Sequence, residues 1–80
     1  MTEPMLFEAV VKIIRTVSKA ARNAVIEPGS LLVEDLELDS LDLVAVLMRL
    51  QEDHGITIDL DEIERFRTVS DIIEGAVAVV

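Results

Sequence analysis

Cysteine, tryptophan and tyrosine are absent from this 80-residue chain, which has only two phenylalanines, three glycines, two prolines and one histidine. Without cysteine there is no disulfide framework, no thiolate zinc site and no cysteine nucleophile, so the core rests on apolar packing. The single histidine, His54, has no second ligand at helical spacing with which to build a metal site. Its expected place is a helix end, bonded to the last carbonyls. Long hydrophobic runs are missing too. Leu43 to Met48 and Ala76 to Val80 fall far short of a membrane span, and Met1, Thr2, Glu3 and Pro4 lack the basic start of a signal peptide. A soluble, unprocessed, cytoplasmic chain is expected, forming a single domain over residues 1–80. Folding at this size buries only about 60% of the surface the unfolded chain exposes, which leaves little room for a catalytic cleft.

Positive charge is also scarce, and it is unevenly placed. The net charge is −9, with 51% of residues hydrophobic and 29% charged. Residues 1–30 set four cations (Lys12, Arg15, Lys19, Arg22) against three acids, for a net of +1; residues 31–80 set three arginines against thirteen acids, for a net of −10. An acidic surface of that density repels phosphate backbones and anionic lipid, so neither a nucleic-acid partner nor stable membrane insertion is expected, and basic protein partners are favoured. Solubility alone also accounts for many of these acids.

Periodicity organises the chain. From Pro4, in the first turn, Leu6, Val10, Ile14, Val17 and Ala21 recur on one helical face, with Lys12, Arg15, Lys19 and Arg22 as a basic stripe beside it. That stripe reads as a solvated face that also interacts with the acidic remainder. Residues 23–39, with Asn23, Pro28, Gly29 and Ser30, form a long loop, for which Val25, Ile26, Leu31, Leu32, Leu36 and Leu38 are available as apolar pins. Asp39 offers an N-terminal cap and Asp42 a first-turn carboxylate to a second helix. This helix carries Leu43, Val46, Leu47 and Leu50 on its apolar face and ends near His54 before Gly55. Ile56, Thr57 and Ile58 make an extended connector, and residues 61–66 at most a short helix. Thr68 caps a last helix with Val69, Ile72, Ile73, Ala76, Val77 and Val80 on its apolar face, weakened by Gly75. The fold class expected is all-α, a four-helix bundle of three main helices and one short third helix, with a long loop between the first two. Leu43, Leu47, Leu50, Ile58, Ile63, Phe66 and Ile72 are the core candidates.

Enzyme chemistry lacks its parts. Asp35, Glu37 and Asp39 alternate like the start of a calcium loop, but such a loop needs glycine where Ser40 stands and glutamate where Val46 stands. Paired carboxylates for acid–base work need one member desolvated, which a small core does not readily provide. Ser40, between Asp39 and Leu41-Asp42, has no histidine base and no glycines of a nucleophile elbow, so it is not expected to attack anything unaided. Two readings remain for it. It is a plain serine in the first turn of a capped helix, or it is a serine acted upon by another enzyme, where a phosphate ester would meet free backbone N–H groups and the helix dipole.

The run Val33-Glu34-Asp35-Leu36-Glu37-Leu38-Asp39-Ser40-Leu41-Asp42-Leu43-Val44, with a helix and long loop before it and the Thr68-Val69 capped helix after it, resembles the acyl carrier proteins over nearly the whole chain. The resemblance implies that Ser40 receives 4'-phosphopantetheine from coenzyme A through a separate magnesium-dependent phosphopantetheinyl transferase. The arm's thiol then holds acyl groups as thioesters, so the carrier is not itself an enzyme. It also implies that Asp39 and Asp42 help the transferase dock, and that Leu41, Val44 and Met48 form an exposed ridge inside an acidic rim; on the competing reading, these three belong to the core. The partners implied are the transferase and acyl-loading, synthase and acyl-transfer enzymes with basic docking patches, acting on a monomeric carrier in fatty-acid or polyketide-type synthesis. A peptidyl, aminoacyl or D-alanyl carrier and an unmodified acidic interaction domain are the alternatives. Three positions depart from the family pattern: Glu37 where glycine is frequent, Ala45 where an acid is common, and His54-Gly55 near a position often apolar or aromatic. They point to a specialised or divergent carrier.

Overall fold

The computed structural model of the chain describes residues 3–79. Met1, Thr2 and Val80 lie outside the described residues, as do the side chains of Leu60 and of residues 77–79, including Val77. Three α-helices form the frame: α1 over Glu3–Val17, α2 over Ser40–His54 and α3 over Val69–Val79. Two short 3₁₀ segments, Ala20–Asn23 and Leu60–Arg65, complete the helical content. The described residues contain no strand, and a single isolated β-bridge joins Leu31 to Thr68. The fold is thus all-helical, but the expected short third helix is a 3₁₀ turn.

The apolar spacing of each helix becomes its buried face. α1 buries Leu6, Ala9, Val10, Ile13 and Ile14, and α2 buries Leu43, Val46, Leu47 and Leu50. From α3 come Val69, Ile72, Ile73 and Ala76, and Ile56, Ile58 and Phe66 close the cluster. Each large aliphatic side chain buried this way contributes about 1.5–3 kcal/mol. Of the expected core residues only Ile63 is half-buried, packed against the cluster from outside.

The first helix stops earlier than its periodicity predicts. It ends at Val17, and Ala21, expected on the same helical face, is buried from the following 3₁₀ segment instead. Ser18 marks the break: its N–H still donates to Ile14 O at 2.8 Å, but its buried hydroxyl turns to the Leu36 carbonyl at 3.5 Å, a contact with the distant loop segment. The basic stripe is split accordingly, with Lys12 and Arg15 on α1 and Lys19 and Arg22 beyond it. Among the described residues the ion pair formed is Arg65–Glu62, so no cation of this stripe is in a salt bridge.

The long loop is pinned by four of its six apolar candidates. Ile26, Leu32, Leu36 and Leu38 are buried, whereas Val25 is 81% exposed and Leu31 37%. Backbone bonds stitch the loop to the start of α3: Leu32 N–H to Arg67 O, Val69 N–H to Ser30 O and Ser70 N–H to Pro28 O, at 2.8–3.1 Å. At the other end of α3, Gly75 allows a close approach. A Cβ there would stand 3.3 Å from the Phe66 ring, so the residue expected to weaken the helix also makes space for a core aromatic.

Candidate functional site

The chain reaches Ser40 through a turn whose geometry is set by three residues. Glu37 donates its N–H to Val33 O and Leu38 donates to Leu32 O, which folds residues 32–38 back on themselves. Glu37 adopts φ 54°, the one left-handed non-glycine residue among those described. This is the position where the family resemblance calls for glycine: the backbone makes the left-handed turn all the same, and glutamate bears its steric cost. Leu36 and Leu38 are driven into the core on either side of it, so Asp39 and Ser40 emerge at the surface.

Asp39 and Asp42 then cap α2 reciprocally. Asp42 N–H donates to Asp39 Oδ1 at 2.8 Å, and Asp39 N–H donates to Asp42 Oδ2 at 3.2 Å, a capping box built from two aspartates. The sequence indicates each carboxylate's separate role but not the reciprocity. Both side chains are thus held in place, flanking an exposed Ser40 at the first helical position. With the cap supplied by its neighbours, Ser40 is not needed to close the helix, and its hydroxyl forms no hydrogen bond among the described residues. The other end of α2 is closed by Gly55 at φ 68°, whose N–H donates to Gln51 O at 2.9 Å. His54 is exposed beside it.

Below Ser40, the predicted ridge lies outside the core. Leu41 is 79% exposed, Met48 is 52% exposed and Val44 is half-buried, which decides against the core reading for Met48. Ala45, where an acid was the expected family residue, is half-buried beside the ridge. Of the carboxylates that alternate before the helix, Asp35 accepts from Leu31 N–H at 2.9 Å and Asp39 caps α2, so both serve backbone geometry. Arg49, one helical step from Ala45, was not singled out by sequence reasoning; the spacing Asp42, Ala45, Arg49 beside the ridge was the available signal.

The structure tests whether this surface suits a group attached through a serine phosphodiester. An acceptor hydroxyl must be exposed and free of internal bonds, and among the described residues Ser40, the first residue of α2, is both. The first-turn N–H groups of Ser40 and Leu41 have no intrahelical acceptor and lie where an anion is favoured.

Comparison with known proteins agrees with this geometry. The family model described as "Phosphopantetheine attachment site" matches residues 8–75. Acyl carrier proteins of Rickettsia typhi and Rickettsia prowazekii are each 43% identical over 51 residues, which is 64% of this chain and 59% of theirs. That of Rickettsia canadensis is 41% identical over the same length. The chain thus spans about three fifths of the length of the curated relatives it matches. Most of its three-helix frame, the pinned turn and the serine displayed by a two-aspartate cap fall within the matched region, and the chain belongs to the phosphopantetheine-attachment family, with covalently attached 4'-phosphopantetheine as its cofactor.

Proposed function

We propose that this protein is an acyl carrier whose prosthetic arm is joined to Ser40 Oγ, and that it presents acyl thioesters to the enzymes of fatty-acid or polyketide-type synthesis. The observation that carries the reading is the exposed Ser40 at the start of α2, relieved of any capping duty by Asp39 and Asp42. When bound, the arm supplies a thiol that activates acyl groups as thioesters, chemistry this cysteine-free chain has no side chain to perform. The chain's own residues position and advertise the attachment point. Asp39 and Asp42 offer a fixed pair of negative charges to a basic docking patch on a phosphopantetheinyl transferase, and Leu41, Val44 and Met48 supply apolar contact for it and for later partners.

In this reading the functional unit is a monomeric carrier domain over 1–80, in the cytoplasm, not itself an enzyme. Its partners are the transferase and acyl-loading, synthase and acyl-transfer enzymes. In this reading the 3₁₀ segment Leu60–Arg65 stands where the short third helix of a four-helix carrier would be. No described helix is long and apolar enough to cross a membrane. Incubation with coenzyme A, magnesium and a broad-specificity phosphopantetheinyl transferase raises the intact mass by one phosphopantetheine, and Ser40→Ala abolishes the gain. An unchanged wild-type mass, with unmodified protein also in the native source, would overturn the proposal. Which enzyme loads the modified protein separates acyl from aminoacyl cargo: loading solely by an amino-acid adenylating enzyme would favour a peptidyl or aminoacyl carrier.

A further inference from the structure

The acidic half of the chain holds three arginines, and two of them sit beside acids. Arg65 pairs with Glu62 at 3.4 Å, and Arg67 lies close enough to Asp71 to help hold its carboxyl below the usual range. Arg49 is different. It is exposed on α2 and forms no ion pair among the described residues, although Asp53 follows one turn later.

Its place on the helix gives that isolation a meaning. Asp42, Ala45 and Arg49 follow one another at helical spacings of three and four, forming a stripe alongside the ridge of Leu41, Val44 and Met48. Along that stripe the charge runs from negative at Asp42, through none at Ala45, to positive at Arg49. Arg49 also lines a groove of about 320 Å³ between α1 and α2, with Lys12 across it; Glu8, Asp53 and His54 line the same groove, so its two cations are matched by two acids there. Arg49 lies nine residues from Ser40, about 13 Å along the helix axis. A standard interface of about 800 Å² per partner centred on Ser40 would reach about 16 Å, so a docked enzyme meets both.

We infer that Arg49 is a specificity-determining residue of the docking face, one that disfavours enzymes whose docking patch is basic throughout. The enzymes it admits have cations opposite Asp39 and Asp42 and a neutral or acidic group opposite the third turn of α2. Like charges facing each other at an interface suppress a wrong partner without any new contact to the right one. This inference rests on the proposed modification of Ser40, because that reading makes α2 the docking face.

The test uses a broad-specificity phosphopantetheinyl transferase with a basic docking patch. Its rates are measured against carrier concentration for wild type, Arg49→Gln, Arg49→Glu and Arg22→Glu. Arg22 is exposed in the Ala20–Asn23 segment, so Arg22→Glu changes net charge as much as Arg49→Glu does, but away from α2. The expected result is a KM lowered about threefold by Arg49→Glu and less by Arg49→Gln, as befits a solvent-exposed charge. The turnover number stays unchanged, and the effect fades in high salt. Arg22→Glu leaves KM close to wild type. A KM that is unchanged or raised by Arg49→Glu, or lowered equally by Arg22→Glu, overturns the inference while leaving Ser40 as the attachment site. Failure of the wild type to gain mass overturns the attachment reading and this inference with it.

Discussion

Replacing Glu37 by glycine is expected to stabilise the protein, although glycine usually does the reverse. Glu37 holds φ 54° in the turn that delivers Ser40. In that left-handed region the Cβ of a non-glycine residue crowds its own carbonyl, at a cost of about 1–2 kcal/mol. Glycine removes that cost but adds freedom to the unfolded chain worth about 0.4–1 kcal/mol. The difference leaves a net gain of about 0–1.6 kcal/mol, centred at ~0.8 kcal/mol, for which the Tm rise is about 3–6 °C in a domain of this length. Glu37 also sits among Glu34, Asp35 and Asp39, so losing its charge relieves some repulsion. Glu37→Ala separates the two contributions, because it removes the carboxylate but keeps the Cβ. Thermal and urea unfolding of the three proteins, followed by circular dichroism, is the assay. Glycine should exceed alanine in both Tm and urea midpoint. If the glycine variant is no more stable than the alanine variant, the steric account of this turn is wrong.

Asp71 gives a pH prediction. Its carboxyl is held below its ordinary value chiefly by the Arg67 N–H, with Thr68 adding N–H and side-chain bonds and burial opposing them. Because the folded value is depressed, the stabilisation is complete above about pH 4, near the unfolded aspartate value, and is lost as pH falls through the lowered folded value. Asp71→Asn should therefore flatten the acid limb of a stability–pH curve, and an unaltered limb would refute this. Leu32→Ala, which empties a fully buried site in the loop, should cost about 2–5 kcal/mol in urea unfolding; a loss under 1 kcal/mol would show that the loop is not part of the core. Neutralising Asp39 and Asp42 together to asparagine should slow transfer of phosphopantetheine and make the remaining rate less salt-dependent, and equal rates at low salt would remove them from docking.

The sequence made the helices and most of the core legible for a common reason: each depends on local spacing, whereas Ser40 stood out only through the family resemblance of the run around it. Apolar positions three and four apart predicted the buried faces of α1, α2 and α3, and Asp39 and Gly55 marked the ends of α2 almost to the residue. What local spacing does not encode was missed. The end of α1 at Val17 coincides with Ser18 reaching the Leu36 carbonyl, a contact between distant segments. The loop's anchorage depends on bonds to α3 around Thr68, and of its six expected apolar pins Val25 and Leu31 stay at the surface, as does Val33. A 3₁₀ turn and a short α-helix share nearly the same pattern over six residues, which hid the true state of Leu60–Arg65. The exposure of Met48 was available in the spacing: at about 100° per residue it lies far round α2 from the buried stripe of Leu43, Val46, Leu47 and Leu50, so the core reading did not use the periodicity fully.

The central claim is that Ser40 carries the prosthetic group, and peptide-level mass spectrometry of the transferase-treated protein tests it most directly. The account predicts a single phosphopantetheine on the peptide containing Asp39-Ser40-Leu41, fragment ions that place it on the serine oxygen, and no addition to the Ser40→Ala protein. Attachment at Ser18, Ser30 or Ser70, or full modification of the Ser40→Ala protein, would contradict it.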